Sequence, residues 1–400
     1  MEWKYFLFFS FWTDLCLAFD CFCIDKTDIV SCDCSVTDNS IDYFNNYLIY
    51  DKLKSLLERS YFRYFSYDNH QQCTFWDNDE ELSLGTCQNE ACSIKICDKN
   101  SIPSAFLEEC FRSQVDTTIS ESVRADLASW QKYDDKLNPF CHIEDFCPVC
   151  SYVDLTKNPE TFTGYSGPSA QKIWEAIYDE NCFSSNFVDV NYESFLEGLC
   201  MEKRVFFRAF SGLHSSISIH ISAQYPTAQF MHYGPNIKEF DRRFGHDKGL
   251  HWLKNLYFLF LLELQALESI SDFLKIHHYY TADEVEDEIT KDLMKEMLEI
   301  KTIFNNPLFA DKKDKKLLPF DEFQPHFSNI SQIMNCVGCD KCKLWGKLQV
   351  TGITTAFKIL FGNLFQPKRR EIVALLNSFG RLSTSIYQLS IFREKQKLDL

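Results

Sequence analysis

The apolar positions of this chain recur mostly at helical spacing. In "IDYFNNYLIYDKLKSLLERSYFRYF" (41–65) they alternate with charged residues three or four apart, which predicts an amphipathic helix. "SESVRADLASWQKY" (120–133) opens on a serine suited to cap the helix that follows. "NPETFTGYSGPSAQKIWEAIYDENC" (158–182) is turn-rich at first and predicts a helix from about Ser169. The stretch 192–225 reads as one or two long helices, and 251–277 and 284–304 as further ones. Within the first of these, "NLYFLFLLELQAL" (255–267) is apolar on every side. It is too short to span a bilayer and contains Glu263, so it predicts a buried core helix. "DKKDKKLLPFDEF" (311–323) is a charged linker, and from 329 onward helix, cysteine motif, helix and helix follow. By contrast 66–120 is rich in Asn, Asp, Ser and Cys and reads as a long, partly mobile loop. There is no internal repeat and no low-complexity tract. The expected fold is mainly α: one large helical domain with long cysteine-bearing loops.

Composition supports that reading. With 13 Gly and 11 Pro in 400 residues, turn formers are too scarce for a sandwich or barrel. The 37 Phe, 18 Tyr and 7 Trp supply a large core. The net charge of −16 comes without any basic stripe, which argues against a nucleic-acid partner. Eighteen cysteines in close sets change the picture more, because they point to disulfides and an oxidising compartment. The N-terminus agrees. Lys4, the apolar run from Tyr5 to Trp12 and the small residues near Ala18 resemble a secretory signal over 1–18, although Glu2 and Asp14 depart from that pattern. A partly buried N-terminal helix is the alternative. A cleaved signal would remove Cys16 and leave seventeen cysteines, an odd number. Asn329, followed by Ile330 and Ser331, forms a glycosylation acceptor.

The cysteine sets carry the candidate chemistry. Cys21 and Cys23 face Cys32 and Cys34 across eight residues. The nested bridges Cys21–Cys34 and Cys23–Cys32 fit that spacing, and a zinc knuckle has the right ligand count as an alternative. Cys87, Cys92 and Cys97 are spaced five apart, and short disulfide loops of this kind are prone to exchange. Cys339 and Cys342 form a C-x₂-C pair at an expected helix start, where such a motif favours thiolate and exchange. Two exchange-type pairs in separate parts of one chain suggest a relay, one pair meeting an outside protein and the other a cofactor. Structural disulfides, a zinc site and free thiols are the plainer readings of the same spacings.

"MNCVGCDKCKLWGKLQVTGITTAFKILF" resembles the signature of the endoplasmic reticulum oxidoreductins, flavin-dependent thiol oxidases that reoxidise protein disulfide isomerase. "YFRYF", "CTFW", "NPETFTGYSGP", "KIWEAIYDENCF", "FLEGLCMEKRVFFRAFSGLHSSISIHIS", "LKNLYFLFLLELQAL" and "EIVALLNSFGRLSTSI" follow the same family in order, so the resemblance covers nearly the whole chain. It implies that Cys339 and Cys342 are the active-site pair, Cys87 and Cys92 the shuttle pair, and Cys97 and Cys110 regulatory. In the off state Cys87–Cys110 and Cys92–Cys97 would lock the shuttle. Cys336 would be bridged to Cys73, closing a loop of over 260 residues, an effect of roughly 5 kcal/mol in the chain-entropy model. Cys182–Cys200 would be a further structural bridge, and Cys141, Cys147 and Cys150 find no clear place. The isomerase sits near −180 mV and structural disulfides below about −300 mV, so an exposed loop pair suits the shuttle role.

The same resemblance implies FAD as cofactor and molecular oxygen as acceptor, with hydrogen peroxide formed, in a helical flavin core over 158–400. Thr163, Trp174, Ser211 and His214 stand at family positions that contact the flavin dinucleotide. Three family arginines are absent: Thr161, Trp252 and Gln265 occupy their places. Arginine forks bind phosphate by paired, charge-assisted hydrogen bonds. Arg242, Arg243, Lys248 and Lys254 are the cations available to replace them. A flavin-free redox chaperone or regulator that exchanges disulfides with clients is the second reading, and a zinc-binding interaction protein the third. The location implied is the endoplasmic reticulum lumen. The tail "KLDL" (397–400) matches a K-D-E-L signal only in part, and nothing in the chain encodes membrane attachment.

Overall fold

The computed structural model describes residues 47–67, 94–96, 152–155, 174, 177–178, 201–226, 233–244, 248–281, 283–300, 326–327, 330–331, 333–334, 340–362 and 366–398. Helix dominates these residues, as the periodicity predicts. The N-terminal amphipathic stretch forms α1 (Tyr47–Leu57) and a single turn, α2 (Ser60–Arg63). The expected helix stops there. Residues Tyr64–Tyr67 leave it as strand β1, which pairs antiparallel with β2 (Ile94–Ile96) and β3 (Tyr152–Asp154) in the order β2–β1–β3. Phe65 lies opposite Ile96 on one side and Val153 on the other. Aromatic and β-branched residues favour this pleated state over helix. So the segment 66–120, expected to be loop, contains at least one strand.

Four long helices build the core: α3 (Met201–Ala223), α5 (Lys248–Ser269), α8 (Asp340–Phe361) and α9 (Arg369–Leu398). Between α3 and α5 run a two-strand ladder, β4 (Tyr225–Pro226) with β5 (Tyr233–Gly234), and the short helix α4 (Ile237–Phe244). Each long helix packs antiparallel to its partner. On α3 and α9, Ser216 Oγ meets Ser385 Oγ at 2.6 Å and His220 Nε2 meets Arg381 O at 3.1 Å. On α8 and α9, Lys358 pairs with Glu371 at 2.8 Å and Trp345 lies under the Arg381 guanidinium at 4.6 Å. Aromatic and aliphatic residues of α5 from Leu256 to Leu262 are all buried, which is why that helix shows no polar face.

The stretch 251–277 is broken where one helix was expected. It ends as α5 at Ser269 and resumes as α6 (Ser271–Ile276). Ser269 Oγ donates to Gln265 O at 2.9 Å, a local bond that competes with continuation of the helix. The next helix, α7 (Glu284–Leu298), is capped by Asp283, whose carboxylate accepts from the Val285 and Glu286 amides. It finishes at Leu298, short of 304, in a tightened turn where the Ile300 amide donates to Met297 O.

One bond ties the turn that leads into the sheet to the bundle, and a second extends the β1–β3 ladder. Asn377 Nδ2 on α9 donates to Phe62 O at 3.1 Å, and the Leu155 amide donates to Arg63 O at 3.0 Å. Strand β2 also lies against α8. Cys92 and Cys97 flank β2 in sequence, and α8 is the helix that begins at the C-x₂-C pair.

One carboxyl sits inside the bundle. Glu263 is fully buried and accepts a 2.6 Å hydrogen bond from Ser378 Oγ, while its Oε2 has no hydrogen-bond partner. Burial raises it well above the ordinary carboxyl value, outweighing the serine, so it stays protonated. The unfolded chain releases this proton above about pH 4.5 and the folded chain holds it. Each pH unit above that point therefore costs up to about 1.4 kcal/mol of stability until the folded value is reached. Glu263→Gln removes the titration and keeps the acceptor. The variant's stability relative to wild type should rise as pH goes from 4.5 to 7, read as the difference in denaturation midpoint. A pH-independent difference would show that Glu263 is ionised in the fold.

Candidate active site

The cysteine-bearing motif leads into α8, and the Cys342 backbone lies in its first turn. That matches the helix start expected from the C-x₂-C pair. A helix beginning at a cysteine pair aims its positive end at the sulfur region. Trp345, one turn further on, is buried and held against Arg381 of α9, which fixes the start of α8 to the bundle. The remaining cysteines named above lie outside the described residues: Cys339 and Cys336 of the motif, Cys87, Cys92, Cys97 and Cys110, Cys141, Cys147 and Cys150, and Cys16, Cys73, Cys21, Cys23, Cys32, Cys34, Cys182 and Cys200. So do Thr161, Thr163 and the residues 1–40.

Three of the four expected flavin residues are described. Trp174 is helical and buried. Its ring stacks on His214 of α3 with centroids 3.9 Å apart and planes within 13°. Tyr178, one helical turn after Trp174, shares a 3.2 Å hydrogen bond with His214 Nδ1. Trp252 of α5 also meets the imidazole, its ring centroid 4.7 Å away and tilted by 44°. Burial first, and then the positive charge of Arg243, lower His214 to about 3, so the imidazole is neutral at any working pH. A neutral imidazole has one donor and one acceptor nitrogen, and Tyr178 uses Nδ1.

Ser211 stands one turn before His214 on α3 and is buried. Its Oγ accepts from Asn255 Nδ2 of α5 at 2.9 Å, and Asn255 Oδ1 accepts from Arg208 Nε at 3.2 Å. The Arg208 guanidinium in turn lies 4.2 Å over the Phe258 ring. Ser211 is thus oriented from both helices. Between them Gly212 permits the contact: a Cβ there would lie 2.4 Å from Asn255 O. Sequence reasoning missed Tyr178, Asn255 and Arg208. Tyr178 was accessible as the i+4 neighbour of Trp174; the other two act across a helix seam that no spacing reveals.

The family described as Endoplasmic Reticulum Oxidoreductin 1 (ERO1) matches residues 48–389. The chain belongs to the endoplasmic reticulum oxidoreductin family. It is 39% identical to the human ERO1-like protein alpha, over 93% of this chain and 91% of that protein. It is 36% identical to the Caenorhabditis elegans endoplasmic reticulum oxidoreductin-1, over 94% and 89%. Among solved structures, that of Ero1p, described as a source of disulfide bonds for oxidative protein folding, covers 90% of this chain and 99% of its own, with 30% identity and a TM-score of 0.58. A double cysteine variant of the S. cerevisiae protein gives 33% identity and a TM-score of 0.59 over the same shares. Membership makes the chain an oxidoreductase of thiols and disulfides in oxidative protein folding. The mainly helical architecture of this oxidoreductin is the one expected from its sequence.

The described residues fit the flavin that the family resemblance implies. A buried tryptophan on a neutral histidine offers aromatic faces, and Ser211 offers a held hydroxyl. Gln265, at one of the lost arginine positions, has a buried Oε1 with no hydrogen-bond partner, an acceptor that a ribityl or ribose hydroxyl would satisfy. Among the described residues no group of three or more His, Cys, Asp or Glu side chains could hold a metal, and no helix is long and apolar enough to cross a membrane.

Proposed function

We propose that this oxidoreductin is an FAD-dependent thiol oxidase of the endoplasmic reticulum lumen that reoxidises protein disulfide isomerase. The Trp174–His214 stack carries the reading, with Tyr178 and Ser211 around it on the helix bundle. The reduced dithiol of the isomerase is oxidised by exchange with a Cys87–Cys92 disulfide, which is left as two thiols. Those thiols then reduce a Cys339–Cys342 disulfide by a second exchange. Bound FAD supplies two-electron acceptance from that pair and delivery to molecular oxygen. In the balanced sum two thiols and one oxygen give one disulfide and one hydrogen peroxide. The contact of β2 with α8 supports the relay, because it brings the segment between Cys92 and Cys97 against the helix of Cys342. The Cys336–Cys73 and Cys182–Cys200 bridges, and a regulatory exchange through Cys97 and Cys110, belong to the same proposal.

Purified protein should be yellow, with flavin absorbance in the near-UV and visible, and should consume oxygen catalytically when given reduced isomerase. A protein that stays colourless with added FAD, yet still exchanges disulfides with clients, would establish the flavin-free redox chaperone instead.

A further inference from the structure

We propose that the outer surface of α6, α7 and the segment joining them docks a partner protein that presents apolar side chains among lysines or arginines. The inference is independent of the flavin reading and adds an interaction face to the oxidoreductin.

Among the described residues four large apolar side chains stand exposed, and all fall between 276 and 289: Ile276 at 72%, Tyr280 at 68%, Val285 at 71% and Ile289 at 40%. Single exposed apolar residues are ordinary, but a local concentration of them marks a binding surface. The fold turns them outward. In the joining segment, extended from His277, that histidine shares a 3.0 Å hydrogen bond with the Tyr61 hydroxyl. Tyr279 is buried with its hydroxyl donating to Leu274 O, and Thr281 is buried with its hydroxyl donating to Asp287. Alternate residues are thus held inward, and His278 and Tyr280 between them are left outside. On α7, Val285, Glu288, Ile289, Asp292 and Glu296 share one face at spacings of three and four. Thr290, Met294, Met297 and Leu298 are buried on the other side of the helix.

The surface is also fastened in place. Asp283 caps α7, and Lys52 of α1 pairs with Glu296 at 2.7 Å. Glu286 accepts from the Ser60 amide at 2.9 Å and pairs with Arg59 at 3.4 Å. A surface ordered beforehand loses little conformational entropy when a partner lands on it.

Charge selects the partner. Helix α7 carries six acids against two lysines. Glu286, Asp287 and Glu296 are used within the fold, and Asp292 pairs with Lys295 at 3.5 Å. Glu284 and Glu288 are exposed on either side of Val285 and pair with no cation among the described residues. A second copy of this chain would bring those acids against themselves, which disfavours self-pairing. Apolar side chains flanked by lysine or arginine complement both the exposed apolar residues and the carboxylates beside them.

The test is selection of a random peptide library on the full chain, followed by fluorescence anisotropy with the recovered peptides. Those that bind should carry aromatic or aliphatic residues among lysines or arginines. Tyr280→Ser with Val285→Ser should weaken them by about tenfold or more without altering the net charge. Glu284→Lys with Glu288→Lys should weaken them too, and should restore binding to the same peptides with their basic residues exchanged for glutamate. All four positions are exposed, so the far-UV circular dichroism of both variants should match wild type. Peptides that bind both variants as tightly as wild type would place the contact elsewhere and overturn the inference. A selection that recovers no binder would overturn it as well, as would peptides that depend on Tyr280 and Val285 but carry no basic residue. Self-association of the full chain in sedimentation, lost in Tyr280→Ser with Val285→Ser, would make a second copy the occupant and overturn it likewise.

Discussion

Cys342→Ala should bring oxygen consumption with reduced isomerase down at least about 100-fold, because a disulfide that accepts electrons cannot form with one sulfur missing. The far-UV circular dichroism should not change. Cys342 occupies the first turn of α8, and Trp345, one turn further on, anchors that end of the helix on Arg381. Flavin absorbance should also be retained, since the aromatic cluster is built from α3, α5 and the helical segment of Trp174. This combination separates loss of the electron path from loss of cofactor. Wild-type turnover in the variant would remove Cys342 from the active pair and leave the relay without its second station.

The second large effect is expected at Gly212. A Cβ there would sit 2.4 Å from Asn255 O and 2.9 Å from Leu259 Cβ. The first obstacle is backbone, so α3 and α5 must move apart. Overpacking of this kind costs typically about 1–3 kcal/mol, occasionally more. Gly212→Ala should lower the denaturation midpoint by that amount. It should also weaken flavin binding, because Ser211 and Asn255 meet across the seam that opens. Gly234→Ala is the control, as its Cβ would find nothing within 4 Å. Equal midpoints for the two variants would mean that the close approach of α3 and α5 contributes nothing.

Much of the bundle was legible because its signal is local. The unbroken apolar run 255–267 needs burial on all sides, and the structure places it at the centre of the core. The C-x₂-C pair marked the start of α8 to within a residue, since the polar motif before it carries no helical periodicity. The errors were also local. Tyr64 and Phe65 were read as the end of a helix, and Ser66 and Tyr67 as the start of a loop, because the aromatics at 64 and 65 continue the helical spacing of 41–63. Pairing with Ile94–Ile96 and Tyr152–Asp154, distant in sequence, made Tyr64–Tyr67 the middle of a sheet. Strand partners of that separation leave no periodic trace near the strand itself.

The site divides in the same way. Trp174, Ser211 and His214 could be named from the residues that carry the family resemblance, and the loss of arginine at 252 and 265 could be read directly. By itself the sequence determined the helical class, the cysteine sets and the aromatic and hydroxyl groups on offer, since these depend on residue type and near spacing. Only the tertiary structure decided what those groups do to one another. It stacked Trp174 on His214, filled the place of a lost arginine with Trp252 against the same imidazole, and brought Arg243 from a separate helix to Ser218, one turn past His214 on α3. Orientation and charge at a site are summed over atoms a few ångströms apart in space, and here those atoms come from residues up to 78 positions apart in the chain.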